Sequence, residues 1–593
     1  MPPTPQITID GRVHQFTPGQ MIIQVANAAN QAIPQYCYHD GLSIVASCRI
    51  CLAELWMPNK QTGALEPYMG GKLMPTCQTA CLDGMVVYTD SPKSVANQKA
   101  VMEYLLINHP LDCPVCDQAG ECFLQDYSYE YGRGQSRFEE TKVKQAKKDL
   151  GPHVYLYADR CIMCTRCVRF TREVSGTSEL LIAGRGNREE IDVFPGHPID
   201  NELSGNVVDL CPVGALLDKD FLFVQRVWFL KSTPSIDGLT ASGDNILIEH
   251  NEGKVYRFKP RTNLAVNKWW ITDEVRFGWK FIHREDRLNT PRRRQFGTQV
   301  DTDFERATRE AGESLKKVAA TGKRLGLLVS PMLSCEEAYI LAKAALAIDP
   351  KAFLAVGPIP THGADKVFPI GINEADPKAF KMYAEKCPNS RGVRRVLEAL
   401  SKGTAHNGYV PTFDQFITQV RSGEVAGIIL TGNYPSDWAT DTLMTALGAV
   451  GAGGTGSGGA DVPSAMASSR PFCIVLDTLP SRLTDRADIL LPTATWAEKA
   501  GSFENARNMV QAFEQAIAVF DGARAEGQVA TDLLRAAGGE AALAAAGLCT
   551  LFNAADTRSA MARTHADLGL FATGVHAASV PVQQVPDMQV VEL

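Results

Sequence analysis

The chain contains no apolar run of about 18 residues or more, the length a membrane-crossing helix needs. The nearest, the alanine-rich residues 541–555, is broken by Gly547 and Asn553. Positive charge is not in excess either. The 59 Lys and Arg stand against 66 Asp and Glu, a formal net charge of −7, which excludes nucleic-acid binding through bulk charge. The opening MPPTPQITIDGR has neither the apolar core of a secretory signal nor the Arg-rich look of a transit peptide, so a soluble chain in a reducing compartment is expected. Any work at a membrane would go through partners. No repeat of about 20–50 residues is visible, and no acid–base pair or activated nucleophile stands out. Cysteine is scarce in the second half: beyond Cys211 only Cys335, Cys387, Cys473 and Cys549 remain, with none in residues 232–248.

What is present lies at the front. Of 16 cysteines, twelve fall at or before Cys211. A disulfide framework belongs to small secreted domains, and a 593-residue chain without a signal is neither small nor secreted, so the cysteines point to metal. At about 150 residues per domain the length allows about four domains. Residues 5–16 alternate as a strand, an Asp10-Gly11 turn and a returning strand, followed by a helix over residues 21–32, which suits a small β-grasp ferredoxin domain. Residues 56–72, rich in Gly, Pro, Asn and Lys, read as a loop; residues 94–108 have helical periodicity; and the charged residues 139–148 read as a solvated linker. Farther on, strands at 325–330, 427–430 and 474–477 alternate with helices such as 335–347, predicting an α/β domain with a largely parallel sheet.

Three ligand constellations carry the chemistry. The first is Cys37-x10-Cys48-x2-Cys51-x25-Cys77. Its first gap departs from the plant-type ferredoxin spacing C-x4-C-x2-C…C, but a long loop can still wrap an Fe2S2 rhombus. Cys81, with three residues between it and Cys77, is an equal candidate for the fourth position. A structural zinc site is the alternative occupant. The second is His109-x3-Cys113-x2-Cys116-x5-Cys122, where three thiolates need a fourth ligand for a cubane and His109 is the imidazole near enough in sequence to supply it. The third is Cys161-x2-Cys164-x2-Cys167 with Cys211-Pro212 following. In two-cluster ferredoxins the run C-x2-C-x2-C-x3-C-P occurs twice, each fourth cysteine serving the other cluster. Here Thr171, Asn201, Ser204 and Val207 stand where all four ligands of one cluster would be, while all four of the other are present. The expected content is one 2Fe-2S cluster and two 4Fe-4S clusters, held by eleven cysteines and one histidine.

The strings YCYHDGLSIVASCRICLAEL, HPLDCPVCDQAGECFLQDYS, RCIMCTRCVRF and DLCPVGAL resemble the large iron–sulfur subunit of respiratory complex I, NADH-quinone oxidoreductase. The resemblance implies Fe2S2 ligands at Cys37, Cys48, Cys51 and Cys77, leaving Cys81 spare, and a histidine-ligated cubane on His109, Cys113, Cys116 and Cys122. It implies an electron relay, without a catalytic residue or bound FMN, from an NADH/FMN subunit towards quinone. Its implied neighbours are that subunit, a small 2Fe-2S subunit and the iron–sulfur subunits of the quinone module. The implied location is the peripheral arm on the cytoplasmic side of a bacterial inner membrane, or the matrix side in mitochondria. An NAD-linked formate dehydrogenase or hydrogenase electron-transfer subunit is the alternative within the same modules. A non-redox zinc scaffold is the alternative outside them.

The implied architecture is α+β iron–sulfur domains followed by an α/β, molybdopterin-oxidoreductase-like domain. Its expected segments are residues 1–92 (β-grasp 2Fe-2S), 93–150 (His/Cys3 4Fe-4S), 151–224 (ferredoxin-like 4Fe-4S), 225–285 (a small β subdomain lacking its cluster) and 286–593. Some bacterial relatives carry a further cubane on C-x2-C-x3-C where residues 232–248 have no cysteine. Glu274 falls where active molybdoenzymes place a Lys near the pterin, an anion ill suited to phosphate, so no molybdopterin is expected. Of the weaker features, Gly451, Gly453 and Gly456 read as a flexible loop despite matching G-x-G-x-x-G. Ser334 and Glu337 read as a capping box with Cys335 structural. Residues 292–294 read as a solvated or subunit-facing arginine patch, and Trp269, Trp270, Phe277 and Trp279 as core.

Overall fold

The computed structural model describes residues 4–402, 404, 407–448 and 470–576. The glycine motif of residues 451–456 lies outside them. Strand Gln6–Ile9 buries Ile7 and Ile9, turns at Asp10 and Gly11, both with positive φ, and pairs with Arg12–Gln15. It also pairs in parallel with Met85–Tyr88, which in turn pairs antiparallel with Leu52–Pro58. Helix Ile22–Ala28 sets its apolar side on this sheet. It ends earlier than the periodicity predicts, because Asn30 adopts a left-handed φ of 52° that no helix continues through.

Two loop predictions are corrected. Residues 56–72 contain a hairpin, in which Leu52–Pro58 pairs with Leu65–Pro67 in the register Trp56↔Pro67 and Pro58↔Leu65. The Asn and Gly that suggested a loop serve its turn, where the Asn59 side chain accepts the amides of Gln61 and Thr62. The charged residues 139–148 are largely exposed, but they are tied down. Lys142 Nζ donates to the carbonyls of Leu106 and Ile107 at 2.7 and 2.9 Å, closing the end of helix Pro92–Leu106. Strand Lys147–Asp149 then joins Val154–Tyr157 and Leu216–Asp218 in one small sheet.

Beyond a three-stranded sheet, Lys231–Ile236, Asn245–Asn251 and Lys254–Pro260, lies the α/β region. Its seven strands run in the order Thr298–Asp301, Arg292–Gln295, Ile489–Pro492, Phe472–Asp477, Val425–Thr431, Arg324–Val329 and Phe353–Val356. The last five are parallel and almost wholly buried, which is why they read as continuous apolar runs. Helices Phe304–Ala320, Cys335–Ile348 and Glu526–Ala546 cover this sheet; a Cβ on Gly312 would come within 2.8 Å of the Leu533 carbonyl, so the first and third can touch only there without a side chain. Ser334 and Glu337 form the predicted capping box, and Cys335 is fully buried beside Asn389. The arginines at 292–294 are not a free patch. They pair within the chain with Asp301, Glu310 and Asp488. Trp270 is buried against Phe170 and His39, with Trp269, Phe277 and Trp279 half-buried. No helix among the described residues is long and apolar enough to cross a membrane.

Candidate metal centres

Cys37, Cys48 and Cys51 all lie in the long loop between helix Ile22–Ala28 and strand Leu52–Pro58, and Cys77 follows the short strand Met74–Pro75. Two loops thus bring four thiols together beside the start of strand Leu52–Pro58. Hydrogen bonds from Cys48 and Cys77 hold the Cys37 thiol well below its ordinary range, and one from Cys77 brings Cys51 down to about 7. Cys48 and Cys77 are pushed up by those same contacts and by burial. Cys81 lies apart from this exchange, its thiol pushed up to about 11 by burial alone.

The other two sets line cavities. Cys161, Cys164, Cys167 and Cys211 border a partly open pocket of about 350 Å³, open solvent included, beside apolar neighbours such as Leu156, Ile191 and Val213. His109, Cys113, Cys116 and Cys122 surround about 270 Å³ with Arg160 and Gly214. Burial, then the charges of Arg160 and Lys142, lower His109 to about 4, so at neutral pH its imidazole offers a lone pair. Cys113 is exposed while Cys116 and Cys122 are buried.

Backbone strain gathers at these loops. Arg49 beside Cys48, and Met163 and Thr165 on either side of Cys164, have left-handed φ values of 60°, 49° and 60° without being glycine. The tight winding aims the amide of Met163 at Cys161 Sγ, 3.4 Å away. Among the described residues no group of three or more His, Cys, Asp or Glu closes on a point tightly enough for a single metal ion. Thiols standing round a cavity suit a polynuclear centre, whose irons lie apart, better than one zinc.

The segment after Cys211 is a shared wall. Cys211, Val213 and Ala215 line the larger cavity, whereas Gly214 lines the smaller and the Pro212 carbonyl accepts the amide of Phe123. A Cβ on Gly214 would fall 2.2 Å from Cys116 Sγ. On the far side, Arg169 donates to the carbonyls of Cys37 at 2.6 Å and Cys164 at 3.2 Å. The Cys161 site therefore touches both others, and one apolar core contains members of all three sets: Cys37, Cys122, Cys164 and Cys167 among them.

The motif reading missed Arg160, Arg166, Arg169 and Gly214. Arg160 immediately precedes Cys161 and binds Asp112 across the two cubane loops at 2.8 Å, and Arg166 immediately precedes Cys167. Their signal was position inside a cysteine motif. The loop residue Glu121 is likewise held by Arg257 and Lys259, each at 2.9 Å; against burial, these two cations bring its carboxyl down to about 2.

Family models match in the same order as these sites. A 2Fe-2S iron–sulfur cluster binding domain covers residues 4–92, an NADH-ubiquinone oxidoreductase-G iron–sulfur binding region 98–137, and an NADH-quinone oxidoreductase subunit 3 ferredoxin-like domain 151–217. An NDSU1/NuoG-like 4Fe-4S domain covers 230–280, and a molybdopterin oxidoreductase domain 461–536. The G-type NADH-quinone oxidoreductase subunit of Rickettsia felis is 36% identical over 336 residues, covering 57% of this chain and 48% of its own. The mitochondrial NADH-ubiquinone oxidoreductase 78 kDa subunit of Candida albicans is 43% identical over 323 residues, covering 54% of this chain and 42% of its own. Over its first half the chain is similar to G-type NADH-quinone oxidoreductase subunits.

The match spans less than half the length of each of these two relatives. It includes 2Fe-2S and 4Fe-4S binding domains and a molybdopterin-like domain. The NDSU1/NuoG-like 4Fe-4S match falls on a stretch that has no cysteine in this chain. Glu274, expected as a bare anion, forms an ion pair with Lys386 at 2.5 Å, so the charge argument against a pterin is weaker than the sequence implied.

Proposed function

We propose that this chain is the electron-relay subunit of an NADH:quinone oxidoreductase. It would hold one 2Fe-2S cluster on Cys37, Cys48, Cys51 and Cys77, and 4Fe-4S clusters on His109/Cys113/Cys116/Cys122 and on Cys161/Cys164/Cys167/Cys211. The segments carrying them are residues 1–92, 93–150 and 151–224, with 225–285 and 286–593 as scaffold. Bound clusters supply one-electron transfer. The chain's own residues space the ligands, exclude water through a shared apolar core, and keep His109 unprotonated. The observation that carries the reading is that the Cys161 set adjoins both others, through the wall it shares with the His109 set and through Arg169, which joins it to the Cys37 loop.

The proposed partners are an NADH/FMN subunit, a small 2Fe-2S subunit and quinone-module iron–sulfur subunits on the peripheral arm of the complex. No pterin is proposed: near the ends of the parallel strands, where such a sheet binds ligands, Asp477 is engaged by the Asn433 and Thr478 amides and the Trp438 indole, and Lys499 by Glu337 and Glu526. The test is metal analysis with low-temperature EPR of the purified full chain. About ten irons and ten sulfides, with one binuclear and two tetranuclear signals, are expected. Stoichiometric molybdenum, or zinc in place of iron, would sink the reading.

A further inference from the structure

Arg166 and Arg169 sit one helical turn apart on Arg166–Phe170, the short helix that carries Cys167, and both are almost wholly buried. Neither has a carboxylate ion-pair partner among the described residues. Their donors go to backbone instead. Arg169 Nη1 donates to the Ser43 carbonyl at 2.5 Å and Nη2 to those of Cys37 and Cys164. Arg166 Nη2 donates to the Tyr38 carbonyl at 2.5 Å and Nη1 to that of Leu210 at 3.3 Å. Each arginine thus joins the binuclear loop, at Cys37 or its neighbour, to the cubane loops, at Cys164 or the residue before Cys211. Arg166 also lines the cubane cavity, where its buried Nε–H has no hydrogen-bond partner.

Glu173 acts on Arg169 through space, but its oxygens are taken by the Ser43 amide and hydroxyl, and a buried cation without an ion-pair partner is costly enough that structures seldom leave two side by side. Two such cations held between two sets of thiols have an obvious source of negative charge, the thiolate-ligated clusters themselves. We infer that Arg166 and Arg169 are positioning residues that bind the Cys37 and Cys161 centres into one electrostatic unit, raising both reduction potentials together and fixing the separation between them. The inference rests on the cluster assignment proposed above. A positive charge favours the reduced, more negative state of any centre within its reach, and in a dry interior that reach covers both loops. The His109 centre, which meets neither arginine, serves as the internal reference.

The experiment is an EPR-monitored redox titration of the full chain carrying Arg169→Gln, with Arg169→Lys beside it. In R169Q the midpoints of the binuclear and Cys161 centres are expected to shift negative together while that of the His109 centre stays in place. In R169K, which keeps the charge, both are expected near the parent values. A shift in one centre alone, or in neither, overturns the inference. So does an equal shift of the His109 centre. Should R169Q fail to load its clusters, R169K is read through the spin–spin interaction between the two reduced centres. That interaction is expected to weaken, because one ammonium cannot span the carbonyls of Cys37, Ser43 and Cys164; an unchanged interaction overturns the inference. Missing cluster signals in the parent chain would instead remove the function proposed above, so the two failures are distinguishable.

Discussion

In the first 224 residues Arg160 pairs with Asp112, but the buried Arg166 and Arg169 direct their donors to backbone carbonyls beside cysteines and form no carboxylate ion pair. Beyond residue 286 buried cations meet carboxylates at close range. Arg287 pairs with Glu498 through two bonds of 2.9 and 3.0 Å, and Lys499 lies 2.9 Å from Glu337 and 2.6 Å from Glu526. Burial opposes the Lys499 charge, yet the two carboxylates hold the ammonium above its ordinary range. The first region is balanced only if something else supplies negative charge; the second is balanced already. This difference separates buried arginines bonded only to carbonyls from buried cations paired with carboxylates of the same chain.

The sharpest way to probe that contrast is Gly214→Ala. Its new methyl would overlap Cys116 Sγ at 2.2 Å, so loss of the His109 centre is expected, read as about four fewer irons per chain and one missing tetranuclear EPR signal. Retention of all iron would show that the shared wall yields. In the other region, Lys499→Met leaves Glu337 and Glu526 buried without their cation, and a loss of about 3–5 kcal/mol in denaturant unfolding is expected, with cluster content unchanged. Loss of clusters in that variant would erase the division between the two regions.

A smaller effect concerns Asp477, which accepts the amides of Asn433 and Thr478 and the Trp438 indole N–H, yet is raised by burial to about 6. A carboxyl raised in the folded state binds more protons there than in the unfolded chain. Its contribution to stability therefore falls as pH rises from the unfolded value near 4 through about 6. Each tenfold change in proton affinity is worth about 1.4 kcal/mol. Asp477→Asn should flatten the pH dependence of stability in that window, whatever its effect on absolute stability. The least effect is expected from Lys386→Gln, which breaks the partly exposed pair with Glu274 and should cost no more than about 1 kcal/mol by thermal unfolding.

The cysteine groups that the fold brings together were legible because cysteine spacing is a local property: Cys161, Cys164 and Cys167 lie on one turn of chain, and Cys211 carries its Pro212 with it. The parallel strands were legible because Arg324–Val329 and Phe472–Asp477 are apolar on both faces. The hairpin ending at Leu65–Pro67 was not, since its short strand is exposed and patterned like a turn. Nor could sequence disclose which site Arg169 would bridge. Its partner Ser43 lies 126 residues away, and only the folded chain brings them together.

The wall between the two cavities has a consequence for how this chain can diverge. Between Cys211 and Ala215 it is Gly214 that faces the smaller chamber, while Cys211, Val213 and Ala215 face the larger. One residue inserted between Cys211 and Gly214 would bring a side chain up to Cys116 where there is now none. The stretch can exchange one apolar residue for another of similar bulk, but it cannot change length by one. Lineages descending from this chain should show substitutions there and no single-residue gaps.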